Sequence, residues 1–571
     1  MSESIYDKLS KERKRLQKEG LVPEWFTTGG YSMFTQKYEY DTNGRSVRGQ
    51  FERIAKAAAK HLKGTKFEAE AESKFFDLMW NNWLSLSTPV MSNMGTDRAL
   101  PVSCSGGVVD DSINGFYMNR YETAILTKHG FGTSAYLGGI RPRGTPYGKD
   151  KKGTASGIWP VFKGHAQDMI DVAQGSTRRG AWAGYLEIDH KDFDEIYDHI
   201  YNDPDGMNVG WIITDAFLDR LRSGDTDAVR RYQRCLKMKM VVGRGYFWFV
   251  DKVNRKLPEP YKRAGMKNHA SNLCVEIALP ADNEHQFTCV LSSMLVHRFD
   301  EWMGTNAVYW ATIFLDCVAE EFIQQAKDIE GLEKTVRFTR KARALGLGQA
   351  GFHTYLQDHM IPFESLEARM VSQQIAKHIW EESLRASQDM AKELGEPEWC
   401  RGFGVRNASR IAIAPTKSSA IMFGGVSEGI NPDPAMVFTQ KSAGGSIDRI
   451  VPSLLKIMKE RGVYNKRTIK TITERFGSVQ HVDWLSDDEK AVFKTAFEIN
   501  QKTVVALASA RGRYIDQWQS LNLFFAAEER PEWISEVHQQ AFEDPNILGL
   551  YYIYTQAGIG AAKETECVAC Q

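Results

Sequence analysis

The stretch Ser271-Asn-Leu-Cys-Val-Glu-Ile277 places an amide, a thiol and a carboxylate at alternate positions of a short, partly apolar run. If Asn272 to Glu276 is a β-strand, its period of two puts Asn272, Cys274 and Glu276 on the same face. An unpaired carboxylate is costly to bury. The pattern therefore predicts a functional site inside a fold, and the alternative at this point is an ordinary polar strand end.

Strand and helix patterns alternate on both sides of this stretch. Between about residues 100 and 300, the chain has apolar, β-prone runs at 240–242, 246–250 and 275–279 and glycine-rich loops such as 138–139 and 175–180, with intervening helical segments such as 158–173. This alternation predicts an α/β fold whose strands form a buried sheet or barrel.

The two ends of the chain have different patterns. Residues 51–62 and 69–85 repeat apolar positions at three and four, which predicts a mainly helical first ninety residues. Further predicted helices are 366–394 and 487–510, the second opened by a capping box at Ser486, and further predicted strands are 410–414 and 550–555. The last dozen residues, 560–571, are small and polar and predict a mobile tail.

Composition excludes several classes of protein. The 571 residues carry 72 basic and 72 acidic side chains, and this neutral total argues against direct nucleic-acid or membrane binding. No run approaches the roughly 20 apolar residues of a membrane span, and the N-terminus has no apolar signal core. A cytoplasmic location is expected.

Cysteine usage fits that reducing compartment. The chain has eight cysteines, and in a cytosolic protein a special cysteine is more often catalytic, redox-active or metal-bound than part of a structural disulfide. Only Cys567 and Cys570 are closely spaced, and no second pair completes a zinc site. No metal site is predicted in this chain.

Asn-Leu-Cys-x-Glu-Ile is similar to the active-site strand of ribonucleotide reductase large subunits. Four other segments resemble parts of that family in the expected chain order: 86–104, 287–293, 414–420 and 550–552. The resemblance extends over most of the chain, from about residue 25 to its end. The resemblance implies a ten-stranded α/β barrel at 101–525, after a helical region at 1–100 and before a tyrosine-containing region at 526–560 and a mobile redox tail at 561–571.

The resemblance gives each polar residue of the opening stretch a role. It implies that Cys274 becomes a thiyl radical and removes the 3′ hydrogen of the substrate as an atom. Glu276 takes the 3′-OH proton as general base, and Asn272 orients the sugar hydroxyls. Cys104 protonates the departing 2′-OH, and Cys104 and Cys289 supply two electrons by forming a disulfide, so their thiols must lie within bonding reach.

Substrate binding and re-reduction are also implied. The phosphates of a nucleoside diphosphate need hydroxyl and backbone N–H donors, which the segment 415–419 (Pro-Thr-x-Ser-Ser) can offer. As a lone motif, this segment would more often be a helix cap than a phosphate site. The implied substrate residues are Thr88, Ser103, Pro415, Thr416, Lys417, Ser418 and Ser419. In the family, a tail pair such as Cys567 and Cys570 reduces the spent disulfide and is itself reduced by thioredoxin or glutaredoxin; a structural CxxC turn is the alternative.

The source of the radical is open between types of reductase. Tyr551 and Tyr552 resemble the stacked tyrosines that carry an oxidising equivalent from a metal-containing small subunit, which favours the aerobic two-subunit class I. The alternative is an adenosylcobalamin-dependent reductase, which needs no tyrosine relay. No glycyl-radical motif occurs near the C-terminus. A non-enzymatic nucleotide-binding protein would have lost catalytic residues that are all present here.

Allosteric control is the last implication of the resemblance. In the family a deoxynucleoside triphosphate or ATP, expected with Mg²⁺, binds at a homodimer interface and sets substrate specificity. The implied effector residues are Asp111, Ser112, Ile113, Arg141, Gln174 and Arg179. Because the core-like segment begins by residue 30, no N-terminal ATP-cone is expected, and dATP is not expected to switch the enzyme off through one.

Overall fold

The computed structural model describes residues 5–40, 46–172, 180–204, 207–442 and 445–556. The α-helices are α1 Ile5–Lys18, α2 Thr28–Met33, α3 Val47–Ala59, α4 Glu68–Trp80, α5 Thr88–Asn93, α6 Ile113–Lys128, α7 Trp159–Asp171, α8 Phe193–Asn202, α9 Asp215–Arg222, α10 Thr226–Val241, α11 Val250–Lys256, α12 Glu259–Arg263, α13 Phe299–Trp302, α14 Ala307–Ala326, α15 Glu333–Ala342, α16 Phe352–Asp358, α17 Leu366–Leu394, α18 Lys417–Met422, α19 Pro452–Glu460, α20 Lys466–Thr473, α21 Asp487–Val492, α22 Gln501–Gly512 and α23 Pro531–Glu543.

The strands are β1 Leu84–Leu86, β2 Cys104–Val108, β3 Gly132–Tyr136, β4 Pro146–Tyr147, β5 Gly153–Thr154, β6 Trp182–Glu187, β7 Asn208–Ile212, β8 Tyr246–Trp248, β9 Phe287–Leu295, β10 Leu345–Ala350, β11 Val437–Ser442, β12 Gly445–Ile450, β13 Leu523–Phe525, β14 Gly549–Leu550 and β15 Ile553–Thr555. A π-helical turn covers Phe34–Tyr38, and 3₁₀ turns cover Lys60–Leu62, Val296–Arg298 and Glu398–Cys400.

The predicted helical N-terminal region is confirmed. The hydroxyl of Ser46 caps α3 by accepting the Gly49 N–H at 3.1 Å. The helix then buries an apolar face that includes Phe51 and Ile54 and packs on α4 and α14. The helix predicted at 69–85 ends earlier, at Trp80, and the chain continues into β1.

One large sheet forms the centre of the molecule. Its strand order is β1-β9-β2-β3-β6-β7-β8-β14, with β10 paired to β9. Strands β2, β3, β6, β7 and β8 run parallel, with α6 to α10 in their connections, as expected of βα units. The predicted α/β class is confirmed. This sheet has nine strands in the described residues, so the expected count of ten is not confirmed.

Several element predictions were wrong in detail. The run at 240–242 closes α10, and residues 275–279 contain no strand. Residues 410–414 contribute only an isolated bridge between Ile413 and Gln519. The capping box at Ser486 is present, but the helix predicted at 487–510 is two helices, α21 and α22. A short apolar run can be buried in a helix, a strand or a loop, so its pattern does not distinguish these conformations.

The largest hydrophobic core joins the N-terminal helices, the sheet and α14, and a smaller separate core lies under the β11–β12 hairpin and α19 to α21. Among the described residues, none of the helices is both long and apolar enough to cross a membrane.

Candidate active site

Residues 272–276 form a turn, which corrects the predicted strand. Val275 has a φ of 66°, a left-handed conformation that a β-branched residue rarely adopts. The side chain of Asn272 closes the turn, because its Oδ1 accepts the N–H of Glu276 at 3.1 Å and of Ile277 at 3.2 Å. The three polar groups therefore converge through a hydrogen-bonded turn.

Neighbouring elements hold this turn at its backbone carbonyls. Ser134 on β3 donates to the Ser271 carbonyl at 2.8 Å, and Tyr185 on β6 donates to the Asn272 carbonyl at 2.7 Å. From the other side, the Ser520 hydroxyl donates to the Cys274 carbonyl at 2.7 Å. Sequence reasoning missed Tyr185 and Ser520, since neither lies near residue 274 in the chain.

Glu276 is fully buried and bound by hydrogen bonds on both oxygens. Oε1 accepts from Asn272 Nδ2 at 2.9 Å, and Oε2 accepts from Ser520 Oγ at 3.1 Å. Burial raises the pKa of Glu276 to about 7, while these hydrogen bonds oppose the rise by favouring the carboxylate. A carboxyl group with this pKa can both accept and release a proton near neutral pH.

Cys104 and Cys289 are directly opposed residues of the antiparallel pair β2–β9. Opposed residues in such a pair have Cα atoms roughly 4.5–5.5 Å apart, inside the range that a disulfide spans. Asn272 Nδ2 lies 3.6 Å from Cys104 Sγ, which joins this pair to the turn. Burial, and then the neighbouring Cys104, raises the pKa of the Cys289 thiol well above its ordinary value. This strand register is compatible with the disulfide that is expected between the two thiols.

A cavity opens beside these groups, lined largely by polar residues from five segments of the chain. Its lining comprises Ser85, Leu86, Ser87, Thr88, Pro89, Ser103, Cys104, Cys274, Glu276, Leu291, Ser292, Ser293, Ala414, Pro415, Thr416 and Ser419. Among the described residues, the buried hydroxyls of Ser85, Ser87, Ser103 and Ser292 have no hydrogen-bond partner. A buried hydroxyl without a partner is costly, so this cavity suits a ligand rich in acceptors.

The predicted substrate residues fall at this cavity with two exceptions. Thr88 opens α5, and Thr416 immediately precedes α18, where its Oγ1 accepts the Gly429 N–H at 2.9 Å. Lys417 and Ser418 belong to α18 and are not among the residues that line the cavity.

Tyr551 and Tyr552 lie side by side, with ring centroids 4.0 Å apart. A third tyrosine that the sequence did not single out, Tyr246, has its ring 5.1 Å from Tyr551, and its hydroxyl lies 3.2 Å from that of Tyr552. Leu521 accepts the Tyr551 N–H at 2.9 Å. Since Ser520 contacts the Cys274 turn, one short segment contacts both the turn and the tyrosines.

A second, more open cavity lies at the start of α6. The predicted effector residues Asp111, Ser112, Ile113 and Arg141 all line it, and Arg141 Nε donates to Asp111 Oδ2 at 2.6 Å. Gln174, Arg179, Cys567 and Cys570 lie outside the described residues. The exposed face of α6 carries large apolar side chains, namely Ile113, Tyr117, Met118 and Tyr121.

Comparison with known proteins agrees with this architecture. Residues 24–99 match the ribonucleotide reductase all-alpha domain, and segments between residues 102 and 553 match the ribonucleotide reductase barrel domain. The chain therefore belongs to the ribonucleotide reductase large-subunit family.

Individual relatives are similar over nearly their whole length. A protein of Frog virus 3 (isolate Goorha), provisionally named a ribonucleoside-diphosphate reductase large subunit, is 32% identical over 88% of this chain and 93% of its own. The large subunit of Invertebrate iridescent virus 3 is 28% identical over 87% and 92%. The structure of the class Id ribonucleotide reductase alpha subunit of Actinobacillus ureae superposes with a TM-score of 0.86 at 35% identity, covering 96% of this chain and 99% of that chain.

Proposed function

We propose that this chain reduces ribonucleoside diphosphates to 2′-deoxyribonucleoside diphosphates, with a radical supplied by a separate, metal-containing small subunit. The observation that carries the proposal is that Cys274 and Glu276 of the active-site turn line one polar cavity with Cys104, which is paired with Cys289 across two strands. The resemblance to a class Id alpha subunit supports the two-subunit arrangement over the adenosylcobalamin-dependent alternative.

The proposed chemistry gives each of these groups a role. As a thiyl radical, Cys274 removes the 3′ hydrogen atom, and ionised Glu276 accepts the 3′-OH proton. Cys104 gives a proton to the 2′ oxygen, which leaves as water. Cys104 and Cys289 then provide two electrons and the second proton as their disulfide forms. Glu276 returns its proton to the 3′ oxygen, and Cys274 returns the hydrogen atom to C3′. The radical is regenerated, so each turnover consumes one dithiol.

The polar cavity supports binding of a phosphorylated sugar. Its unpartnered serine hydroxyls, with those of Thr88 and Thr416, can donate to phosphate and sugar oxygens. Hydrogen bonds to a charged phosphate are about twice as strong as neutral ones. The substrate would thus offset the cost that these buried hydroxyls impose on the empty cavity.

The contact between Tyr551 and Tyr552 supports entry of the radical from outside. Each phenol has a removable hydrogen, and rings 4.0 Å apart allow a short transfer between neighbours. A groove between α10 and α23 has an apolar lining that includes Leu236, Ile534 and Phe542. We assign this groove to a segment of the small subunit, which carries the metal cofactor.

Re-reduction and control complete the proposal. Cys567 and Cys570 would reduce the Cys104–Cys289 disulfide and would then be reduced by thioredoxin or glutaredoxin. This cycle requires a reducing compartment such as the cytoplasm. A deoxynucleoside triphosphate or ATP, with Mg²⁺, would occupy the cavity at Asp111 and Arg141. The exposed apolar face of α6 would pack against a second copy of the chain.

The deciding experiment is reduction of labelled CDP with a dithiol and an effector triphosphate. The chain is assayed with a metal-loaded small subunit and, separately, alone with adenosylcobalamin. Product only with the small subunit supports the two-subunit proposal, and product with adenosylcobalamin alone overturns it. Cys274→Ser serves as the blank, because it removes the radical carrier and should retain nucleotide binding.

A further inference from the structure

Ser520 contacts both chemically important residues of the active-site turn. Its Oγ lies 2.7 Å from the Cys274 carbonyl oxygen and 3.1 Å from Glu276 Oε2, and the side chain is buried. We infer that Ser520 is a positioning residue that holds the Glu276 carboxylate at a set place relative to Cys274. The inference rests on the proposed function, in which these two residues act on the same sugar carbon.

The backbone around Ser520 is held on both sides. Its N–H donates to the Ile413 carbonyl at 2.9 Å, and the Trp518 N–H donates to the Glu276 carbonyl at 3.0 Å. The segment 518–520 therefore lies between Ile413 and the active-site turn. Because its backbone is anchored in this way, the Ser520 hydroxyl lies next to the turn.

A hydroxyl has a single hydrogen to donate, and Ser520 faces two acceptors. When Glu276 is ionised, the hydrogen is drawn to the carboxylate, since hydrogen bonds to charged acceptors are the stronger ones. When Glu276 is protonated, its own O–H can donate to Ser520 Oγ, and Ser520 then donates to the Cys274 carbonyl. The hydroxyl thus couples the protonation state of Glu276 to the backbone of Cys274.

The surroundings of Glu276 make this contact influential. Its pKa is set by burial, by the backbone and by hydrogen bonds from Asn272 and Ser520. The titratable groups that face it are Cys104 on β2, Cys289 on β9 and Tyr185 on β6. Burial raises the pKa values of the Cys289 thiol and the Tyr185 phenol well above their ordinary values, so both are neutral near pH 7. The loss of the Ser520 donor should therefore act directly on the Glu276 carboxylate.

The test compares Ser520→Ala with Ser520→Thr, which keeps the hydroxyl, and with Ser383→Ala. Ser383 is a matched control, because it is equally buried and donates to a carbonyl within α17, away from the site. Two readouts are taken: the acid limb of the pH profile of CDP reduction, and an infrared titration of the Glu276 carboxyl in the substrate-free chain, assigned with Glu276→Gln.

Ser520→Ala should raise the midpoint of both titrations by about one pH unit and lower kcat more than it changes KM. Ser520→Thr should restore both midpoints towards the original, and Ser383→Ala should change neither. Loss of activity by Ser520→Ala with both midpoints unchanged would overturn the inference. If the unmodified chain with its small subunit reduces no CDP, the proposed function fails, and the infrared midpoints alone decide the Ser520 contact.

Discussion

Cys104 on β2 and Cys289 on β9 face each other across an antiparallel strand pair, although helices α6 to α12 lie between them in the chain. Nothing in the sequence near either cysteine predicts that the thiols of Cys104 and Cys289 lie close together. The pair exists because β9 runs antiparallel to β2 at the side of the sheet where the active-site turn is held. In the proposed reaction, this pair would supply the two electrons.

Removal of either thiol should stop dithiol-driven reduction. Cys104→Ala and Cys289→Ala should each lower CDP reduction at least about a hundredfold, because a single thiol cannot form the disulfide that supplies the electrons. Thiol titration after one turnover should find two fewer thiols per active site in the unmodified chain. Cys400→Ala, at a buried cysteine outside the cavity, is the control. Full activity in either single variant would refute the pairing.

The pH dependence of the reaction should follow Glu276. Its carboxylate must be ionised to accept a proton, and burial raises its pKa to about 7, so the rate should rise with pH to a half-maximum near that value. Glu276→Gln should lower kcat by about 10²–10⁴-fold and remove this limb of the profile. An unchanged limb in the Gln variant would mean that another group titrates.

The same pKa predicts a change in stability. The folded chain holds the Glu276 proton more tightly than the unfolded chain does, since folding raises the pKa from an ordinary 4.5 to about 7. The contribution to stability is complete below the unfolded value and is lost as the pH rises through about 7, at a cost of about 3 kcal/mol. Glu276→Gln should therefore lose less stability than the unmodified chain between about pH 5 and about pH 8.5, measured by urea unfolding. Equal losses would contradict the raised pKa.

Replacement of Tyr551 by phenylalanine tests whether the radical enters through this residue. Tyr551→Phe removes the transferable hydrogen but keeps the ring, so activity with the small subunit should fall to background while effector binding is retained. Tyr309→Phe is a suitable control, because the Tyr309 hydroxyl donates a hydrogen bond to Asp389 and neither residue is near the tyrosine pair in the sequence. Substantial activity in Tyr551→Phe would return the pair to a packing role.

The effector cavity can be tested by one arginine. Arg141→Ala should weaken binding of a deoxynucleoside triphosphate at least about tenfold in calorimetry, because a guanidinium donates several hydrogen bonds to phosphate. Arg143→Ala is the matched control, since Arg143 pairs with Glu195 and is not among the lining residues. Equal weakening in both variants would indicate a general effect of charge.

Much of the site could be predicted from the sequence because its thiol, carboxyl, amide and hydroxyl side chains stand out within largely apolar segments. The alternation of patterns predicted the α/β class, and the order of the motifs pointed to the cavity residues from Thr88 to Ser419. The strand predicted at 272–276 was wrong because alternation of polar residues also fits a turn, and the positive φ of Val275 is not visible in a residue pattern.

Residue patterns alone identify the reactive groups of this chain: Asn272, Cys274 and Glu276, the cysteines and the paired tyrosines. Which of these groups come into contact depends on the fold. The register of β2 and β9 opposes Cys104 to Cys289, and the path of the chain brings Tyr185, Tyr246 and Ser520 to partners far away in sequence. The physical reason is that local periodicity reports the face of one element, whereas contacts between elements depend on strand pairing and burial across the whole fold.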